Sequence, residues 1–393
     1  MKKLTYLLLC LCLVFSGCGK VPAVEASPET QPTQIQTQPT QAPAAEDTEP
    51  AAIETIPAMA YQNPFTAVSL IPYSAQTQAD DGTLLYRCSS QTMALLMNDH
   101  AVANVINTDF ASRNDKLLAA AKAAMEDACA EYSGEGEWEA YFCDVVYCAE
   151  RIDQMLLSIS GCETFFDGTH RSGQTTFSLN YDMQTGAFLT LQDVLVPDFS
   201  ADALVPCILD ALADRTEDLF PEYADSVAAL FSTNAPVENW YFSENGLYFY
   251  FNPYEIAPQS QGTVLALIPY SQLTGILQDG FFPAEAVEFT GDIIMSNFDA
   301  VDTNAFSQFA EAVLDSTGTQ HLIYTQGTVL NVKVEMGTWT KSGAFIADAV
   351  IFTAEALTEG NALMLQLRDE DLGGLCITYQ TGQQIIRTPW QNN

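Results

Sequence analysis

Apolar residues in this chain repeat with a period of two in some stretches and near 3.6 in others, and the two kinds come in blocks. Blocks of strands and helices, without a repeating βαβ alternation, point to an α+β fold. A strand-like run, Leu84 to Leu96, precedes helix-prone sequence from about Asp99 to Ser112. A second helix is expected over Asp115–Tyr132, with Asn114 as its N-cap and Gly134 just past its end. Leu117, Leu118, Ala121, Met125, Ala128, Cys129 and Tyr132 fall on one face of it. Strand patterns follow at Ala140–Ala149, Met155–Ser160, Thr175–Asp182 and Ala187–Leu191, then helical ones near Ala201–Ala213 and Tyr223–Phe231. Trp240–Ser243 and Leu247–Phe251 flank Asn245-Gly246, the dipeptide suited to a type I′ hairpin turn. Thr263–Ile268 is a last strand of this block. From about Ala286 one helix is expected at Thr303–Leu314. Short alternating segments follow at Val329–Val334, Phe345–Phe352, Ala362–Leu367, Leu375–Tyr379 and Gln384–Arg387, divided by glycine turns. That texture predicts a small β-sandwich.

The first sixty residues build no core. Lys2 and Lys3 precede an apolar run from Leu4 to Phe15 and then Ser16-Gly17-Cys18. Such a run is too short to cross ~30 Å of hydrocarbon as a permanent helix and reads as a secretory leader. The small pair before a cysteine resembles the bacterial lipobox, with Phe15 where that box usually carries Leu. The resemblance implies that Cys18 is lipidated and becomes the mature N-terminus. It places the protein on the cell membrane, lipid-anchored, on the extracytoplasmic face. Residues 19–57 are rich in Pro, Thr and Gln, with Gln31-Pro-Thr-Gln and Gln38-Pro-Thr-Gln repeated. Almost without large apolar residues, they cannot repay the entropy of ordering and read as a tether. Stretched out it reaches at most ~130 Å, and as a flexible coil it averages roughly 35 Å.

Of 393 residues, 50 are acidic and 14 basic, a net charge of −36. So strong an anion is repelled by phosphate backbones, which argues against nucleic-acid binding. Anionic headgroups repel it too, so attachment to a membrane rests on acyl chains and not on a basic patch. Affinity for cationic proteins or divalent metals is the functional reading of this charge; solubility is the plainer one. Apart from Cys10, Cys12 and Cys18, the cysteines are Cys88, Cys129, Cys143, Cys148, Cys162, Cys207 and Cys376. Seven with no regular spacing make no disulfide framework, and buried free thiols are expected. Cys143 and Cys148, five apart in one strand, point to opposite faces. Without a CxxC motif no structural zinc site is expected.

Residues 168–273 carry a motif series: Gly168-Thr-His170, Asn180-Tyr-Asp182, Thr185-Gly186, Leu189-Thr-Leu191 and Asp193. It continues with Trp240, Gly246-Leu247, Phe249, Phe251, Tyr254-Glu255-Ile256-Ala257, Gly262 and Ile268-Pro-Tyr-Ser271. The series resembles the extracytoplasmic domain of RsiV-like anti-sigma factors, found also beside the catalytic module of PdaC-like peptidoglycan deacetylases. The stretch from about Leu84, with Asn104-Val-Ile-Asn107, resembles the α/β half that precedes it. The resemblance implies an α+β recognition domain with antiparallel sheets, serving as a receptor for lysozyme, a cationic protein. Two features depart from that pattern. Asp167-Gly-Thr-His170 stands where Gly-Gly-Ala-His is usual, and the sequence shows no transmembrane helix or cytosolic segment, so no direct sigma-factor contact is expected.

The expected organisation is a leader over 1–17, an anchor and tether over 18–60, and the α/β half over 61–165. The RsiV-like domain follows over 166–283 and a C-terminal β-rich domain over 284–393. His100, His170 and His321 are too dispersed for a deacetylase metal site. There is no Gly-x-Ser-x-Gly elbow, Ser-x-x-Lys, His-Glu-x-x-His or phosphate-binding glycine loop, so neither catalytic residues, metal nor cofactor are expected. The candidate ligand residues are His170 and Arg171, in a glycine turn before a strand, and Tyr241, Tyr248 and Tyr250. The tyrosines alternate away from Trp240, Phe242, Leu247, Phe249 and Phe251 and form either an aromatic platform for sugar rings or a partner protein, or a face packed beneath a helix. Tyr254 and Glu255 complete the set. Asp299, Asp302 and Asn304, and Asp369, Asp371 and Gly373, invite a calcium reading but match no EF-hand loop, and ordinary acidic turns are the plainer reading. The expected function is a non-catalytic surface lipoprotein binding a cationic protein such as lysozyme, or peptidoglycan. The alternatives are a glycan-acting enzyme using a carboxylate pair and an accessory structural lipoprotein.

Overall fold

The computed structural model describes residues 65–134, 137–168, 172–232, 237–283, 291–341, 343–382 and 384–390. Strands β1 (Ala67–Gln78) and β2 (Leu84–Leu96) lead into helix α1 (His100–Glu131), followed by β3 (Tyr141–Ile152), β4 (Leu156–Phe166) and β5 (Ser172–Asp182). A helical stretch holds α2 (Leu191–Val194), α3 (Val205–Ala211) and α4 (Tyr223–Ser232). Next come β6 (Trp240–Phe242), β7 (Gly246–Phe251) and β8 (Val264–Pro269). The last part is all strand: β9 (Ile293–Asn297), β10 (Gln308–Val313), β11 (Thr319–Thr325), β12 (Thr328–Trp339), β13 (Phe345–Thr358), β14 (Asn361–Leu367), β15 (Leu375–Thr381) and β16 (Gln384–Pro389). The fold is a mixed α+β one dominated by sheets.

A nine-stranded sheet, in the order β16-β15-β12-β13-β1-β2-β3-β4-β5, runs through most of the chain. The pairing of Ala67–Ser69 in β1 with Phe352–Ala354 in β13 makes it continuous. The boundaries expected at 165/166 and 283/284 therefore mark no break: the first falls inside β4, and β12, β13, β15 and β16 extend the same sheet as β1–β5. Sequence order suggested a separate last domain, but a strand from the beginning of the folded part closes onto it. The expected sandwich exists as two leaves. Val332, Val334, Phe352 and Ile377 of the large sheet meet Ile323, Leu363 and Leu365 of the four-stranded sheet β10-β14-β11-β9 in one buried cluster.

Not every pairing is antiparallel. β2 runs parallel to β3, and β10 parallel to β14. A parallel pair needs a crossover, and α1 supplies the first. α1 is one helix, where two had been expected. Asp99 caps it, its side chain accepting from the backbone N–H groups of Ala101 and Val102. Asn114, the expected cap, is buried mid-helix, and its Oδ1 accepts from Ser90 Oγ at 2.9 Å and Tyr147 Oη at 3.1 Å. A polar anchor on the sheet outweighs its poor helix propensity. Of the expected inner face, Ala121 and Ala128 are buried and Leu117 and Leu118 partly so, whereas Cys129 is exposed; the Met125 side chain lies outside the description.

The helix expected at Thr303–Leu314 is β10 preceded by a 3-10 turn at Thr303–Ala305. Its alanines and glutamate favour helix in isolation, but pairing of residues 308–313 with 361–366 of β14 buries Ala310 and Ala312 alternately. Ala187–Leu191 makes only a single bridge, Phe188 to Tyr181. In the β6–β7 hairpin the two-residue loop is Glu244-Asn245, neither with positive φ, so the turn is not type I′. Gly246 follows the loop, where a Cβ would stand 2.2 Å from the Ile268 carbonyl oxygen.

Candidate recognition surface

The three-stranded sheet β6-β7-β8 stands with one edge on the face of the large sheet. Trp240 and Phe242 turn their backbone groups away from β7, and such edge groups are costly to bury unpaired. Side chains of β4 and β5 satisfy them. Phe242 N–H donates to Ser158 Oγ at 2.9 Å, and Trp240 C=O accepts from Ser178 Oγ at 2.6 Å and Asn180 Nδ2 at 3.1 Å. Ser158 Oγ also donates to Asn180 Oδ1 at 2.6 Å, closing the network. Beside it Arg151, 5% exposed, donates to Tyr270 Oη and to the Phe281 carbonyl, each at 2.6 Å, and pairs with Asp153. Its guanidinium lies over the rings of Phe242 and Tyr270. Ser158, Ser178 and Asn180 on this face of β4 and β5 thus form a socket for the edge.

This seating decides the fate of the expected aromatic platform. The two faces of the hairpin are as expected, with Trp240, Phe242, Leu247, Phe249 and Phe251 in one buried cluster. Tyr241 and Tyr250, however, are 6% and 3% exposed, and Tyr248 is half-buried. Tyr241 stacks on Tyr248 at 5.1 Å, while Tyr250 Oη donates to the Glu238 carbonyl at 3.1 Å. Strands β3–β5, where a helix had been expected, lie against β6 and cover this face, so Tyr241 and Tyr250 are core and the three tyrosines present no platform. Tyr254 is 67% exposed and holds a left-handed φ of 72°, a strained backbone for a side chain of this size. Glu255 serves the same turn: its Oε2 accepts from Asn252 N–H at 2.8 Å and Asn239 Nδ2 at 3.2 Å, and partial burial raises its pKa. His170, Arg171 and Cys18 lie outside the described residues. Among the described candidates the structure gathers Tyr241, Tyr248 and Tyr250 into one packed group and leaves the adjacent Tyr254 and Glu255 on an exposed turn.

A feature not singled out from the sequence covers the other side of the three-stranded sheet. Leu204, Ile208 and Leu212, spaced by four, are fully buried over Phe249 and Ile268, and Val227 of α4 joins them. The outward positions are acidic. Asp198, Asp202, Asp210, Asp214, Glu217, Asp218, Glu222 and Asp225 are all exposed, and the same 28-residue stretch holds one basic residue, Arg215. Among the described residues no ion pair involves any of these eight carboxylates. Their density was readable in the sequence; their common exposure was not.

Elsewhere, Lys333 of β12 is partly buried. Burial opposes its charge, but Cys148, Glu150, Glu335 and Glu244 around it outweigh that and raise its pKa. Asp302 caps its own turn through Asn304 N–H, and Asp371 pairs with Arg368. Among the described residues no group of three or more His, Cys, Asp or Glu side chains is placed to hold a metal ion, and no helix is long and apolar enough to cross a membrane.

Among curated proteins none matches this chain. Two solved structures are similar over about half of it: a DUF3298-family protein from Bacteroides fragilis and another from Pseudomonas aeruginosa. The first shows 18% identity and a TM-score of 0.44, covering 54% of this chain and 94% of that one. The second shows 16% identity and a TM-score of 0.37, covering 56% and 97%. A family model described as a protein of unknown function, DUF3298, matches residues 192–271, the stretch that holds the acidic helices and the three-stranded sheet.

Proposed function

We propose that this chain is a non-catalytic, extracytoplasmic recognition protein, anchored by a lipid on Cys18, whose acidic helical face binds a cationic protein of the lysozyme kind. The observation that carries the reading is the row of eight exposed carboxylates over 198–225, on a chain of net charge −36. A cationic partner is drawn to such a surface by long-range attraction, which raises the association rate and weakens as salt screens it. The motif series over 168–273 supports the finer assignment to an RsiV-like receptor domain. The exposed, strained Tyr254 marks a second contact on that domain.

Calorimetry with lysozyme and, separately, with soluble muropeptides, at low and moderate salt, tests the reading. Binding of lysozyme that weakens with salt, and weakens further in a variant carrying Asp210→Asn, Asp214→Asn, Glu217→Gln and Asp218→Asn, is the expected result. No binding of lysozyme at either salt overturns it. Release of fragments from peptidoglycan by the purified protein would instead identify a glycan-cleaving enzyme.

A further inference from the structure

Cys88 on β2 and Cys143 on β3 are direct register partners, in the one parallel pairing of the nine-stranded sheet among the described residues. Partners on neighbouring strands point to the same face with Cα atoms about 4.8 Å apart, within the range of roughly 4.4–6.8 Å that a disulfide spans. Both side chains turn under α1 and are 6% and 4% exposed. The two thiols are close enough to shift each other's pKa, and the Cys143 thiol donates to Glu163 Oε1 at 3.6 Å. The place matters to the sheet. β2 and β3 share four register pairs, against twelve between β1 and β2 and ten between β3 and β4. This narrow seam joins β3–β5, on which the three-stranded sheet stands, to the rest of the large sheet.

We propose that Cys88 and Cys143 form a redox-modification site, which hydrogen peroxide converts into a cross-strand disulfide stapling β2 to β3. The neighbouring Cys143 thiol lowers the Cys88 pKa, while the same closeness and burial raise that of Cys143, so Cys88 supplies the attacking thiolate. Its sulfur attacks one peroxide oxygen; the O–O bond breaks, and the departing hydroxide takes up the proton Cys88 had released, leaving as water. Cys143 Sγ then attacks the Cys88 sulfenic sulfur. The S–O bond breaks, and the second water leaves with the Cys143 proton. The two thiols give up two electrons, and the peroxide is reduced to two waters. A small neutral oxidant suits thiols this buried. Cys148 and Cys162 provide a comparison: their partners on β4 and β3 are Ser160 and Val146, so they sit diagonally on the opposite face.

The test is a peptide map. The purified full chain is reduced, treated with graded hydrogen peroxide, alkylated, digested without reductant and analysed by mass spectrometry. The expected product is a peptide pair linked through Cys88 and Cys143, lighter by two hydrogens, reversed by dithiothreitol and lost in Cys88→Ser and in Cys143→Ser. The wild-type map decides the matter even where a variant folds poorly. Absence of that pair at a dose that oxidises the exposed Cys129, or a map dominated by Cys148–Cys162, overturns the proposal. Hydrogen exchange reads the staple itself: amides of residues 86–89 and 141–144 should gain protection on oxidation, and unchanged protection refutes the stapling.

Discussion

Replacing Ser158 by alanine tests whether the three-stranded sheet is held by its edge. Ser158 is fully buried, accepts from Phe242 N–H at 2.9 Å and donates to Asn180 Oδ1 at 2.6 Å. Alanine leaves the Phe242 N–H with neither protein nor water to bond, a cost of about 1–3 kcal/mol, and removes the bond to Asn180, worth about 1 kcal/mol more. The expected loss is therefore about 2–4 kcal/mol. Ser178→Ala is the control. It removes one donor to the Trp240 carbonyl, which keeps Asn180 Nδ2 at 3.1 Å, so no buried group is orphaned and the loss should stay near 1 kcal/mol. Urea unfolding followed by near-ultraviolet circular dichroism reports both, because Trp240 and Phe242 are buried at the contact. Asn180→Ala combined with Ser158→Ala should cost less than the sum of the single changes, since the two residues share one network. Equal losses for Ser158→Ala and Ser178→Ala, or a loss below about 1 kcal/mol for Ser158→Ala, would refute the reasoning.

Asn114→Ala removes the partner of Ser90 and Tyr147 but gains helix propensity, and urea unfolding should show a net loss of about 1–3 kcal/mol. His321 is 1% exposed; burial lowers its pKa, and Asp369, 3.3 Å away, opposes this without prevailing. Below about pH 6.5 the unfolded chain takes up a proton that the folded one refuses. This contribution is complete above that pH and is lost as the pH falls toward the lowered value. His321→Gln should accordingly flatten the decline of unfolding free energy measured between pH 7.5 and 5.5. Gly246→Ala drives a Cβ to 2.2 Å from the Ile268 carbonyl oxygen, and thermal unfolding should fall well below that of wild type, by more than about 2 kcal/mol.

The hydrophobic periods alone located most elements and the mixed α+β class, because burial of alternate or every third and fourth residue is a local demand on a segment. Leu375–Tyr379 and Tyr223–Phe231 were legible in this way, as were the two faces of the β6–β7 hairpin. The concentration of charge was equally plain: eight acids and one arginine between Asp198 and Asp225 need no structure to be counted. What meets each face was decided only on folding. Alternation says that a strand has a second face; it does not say whether water or another strand lies there. So Tyr241 and Tyr250 turned inward, and Ser158, Ser178 and Asn180 became the partners of a sheet edge. Asn114, a cap by local chemistry, became a buried anchor once Ser90 and Tyr147 came within reach. Residues 308–313 gave up helix for the ladder offered by β14, because pairing energy from distant chain exceeds propensities of a few tenths of a kcal/mol per residue. The continuity of the large sheet has the same origin: only folding brings Ala67 beside Ala354, since contacts so distant along the chain carry no local signature.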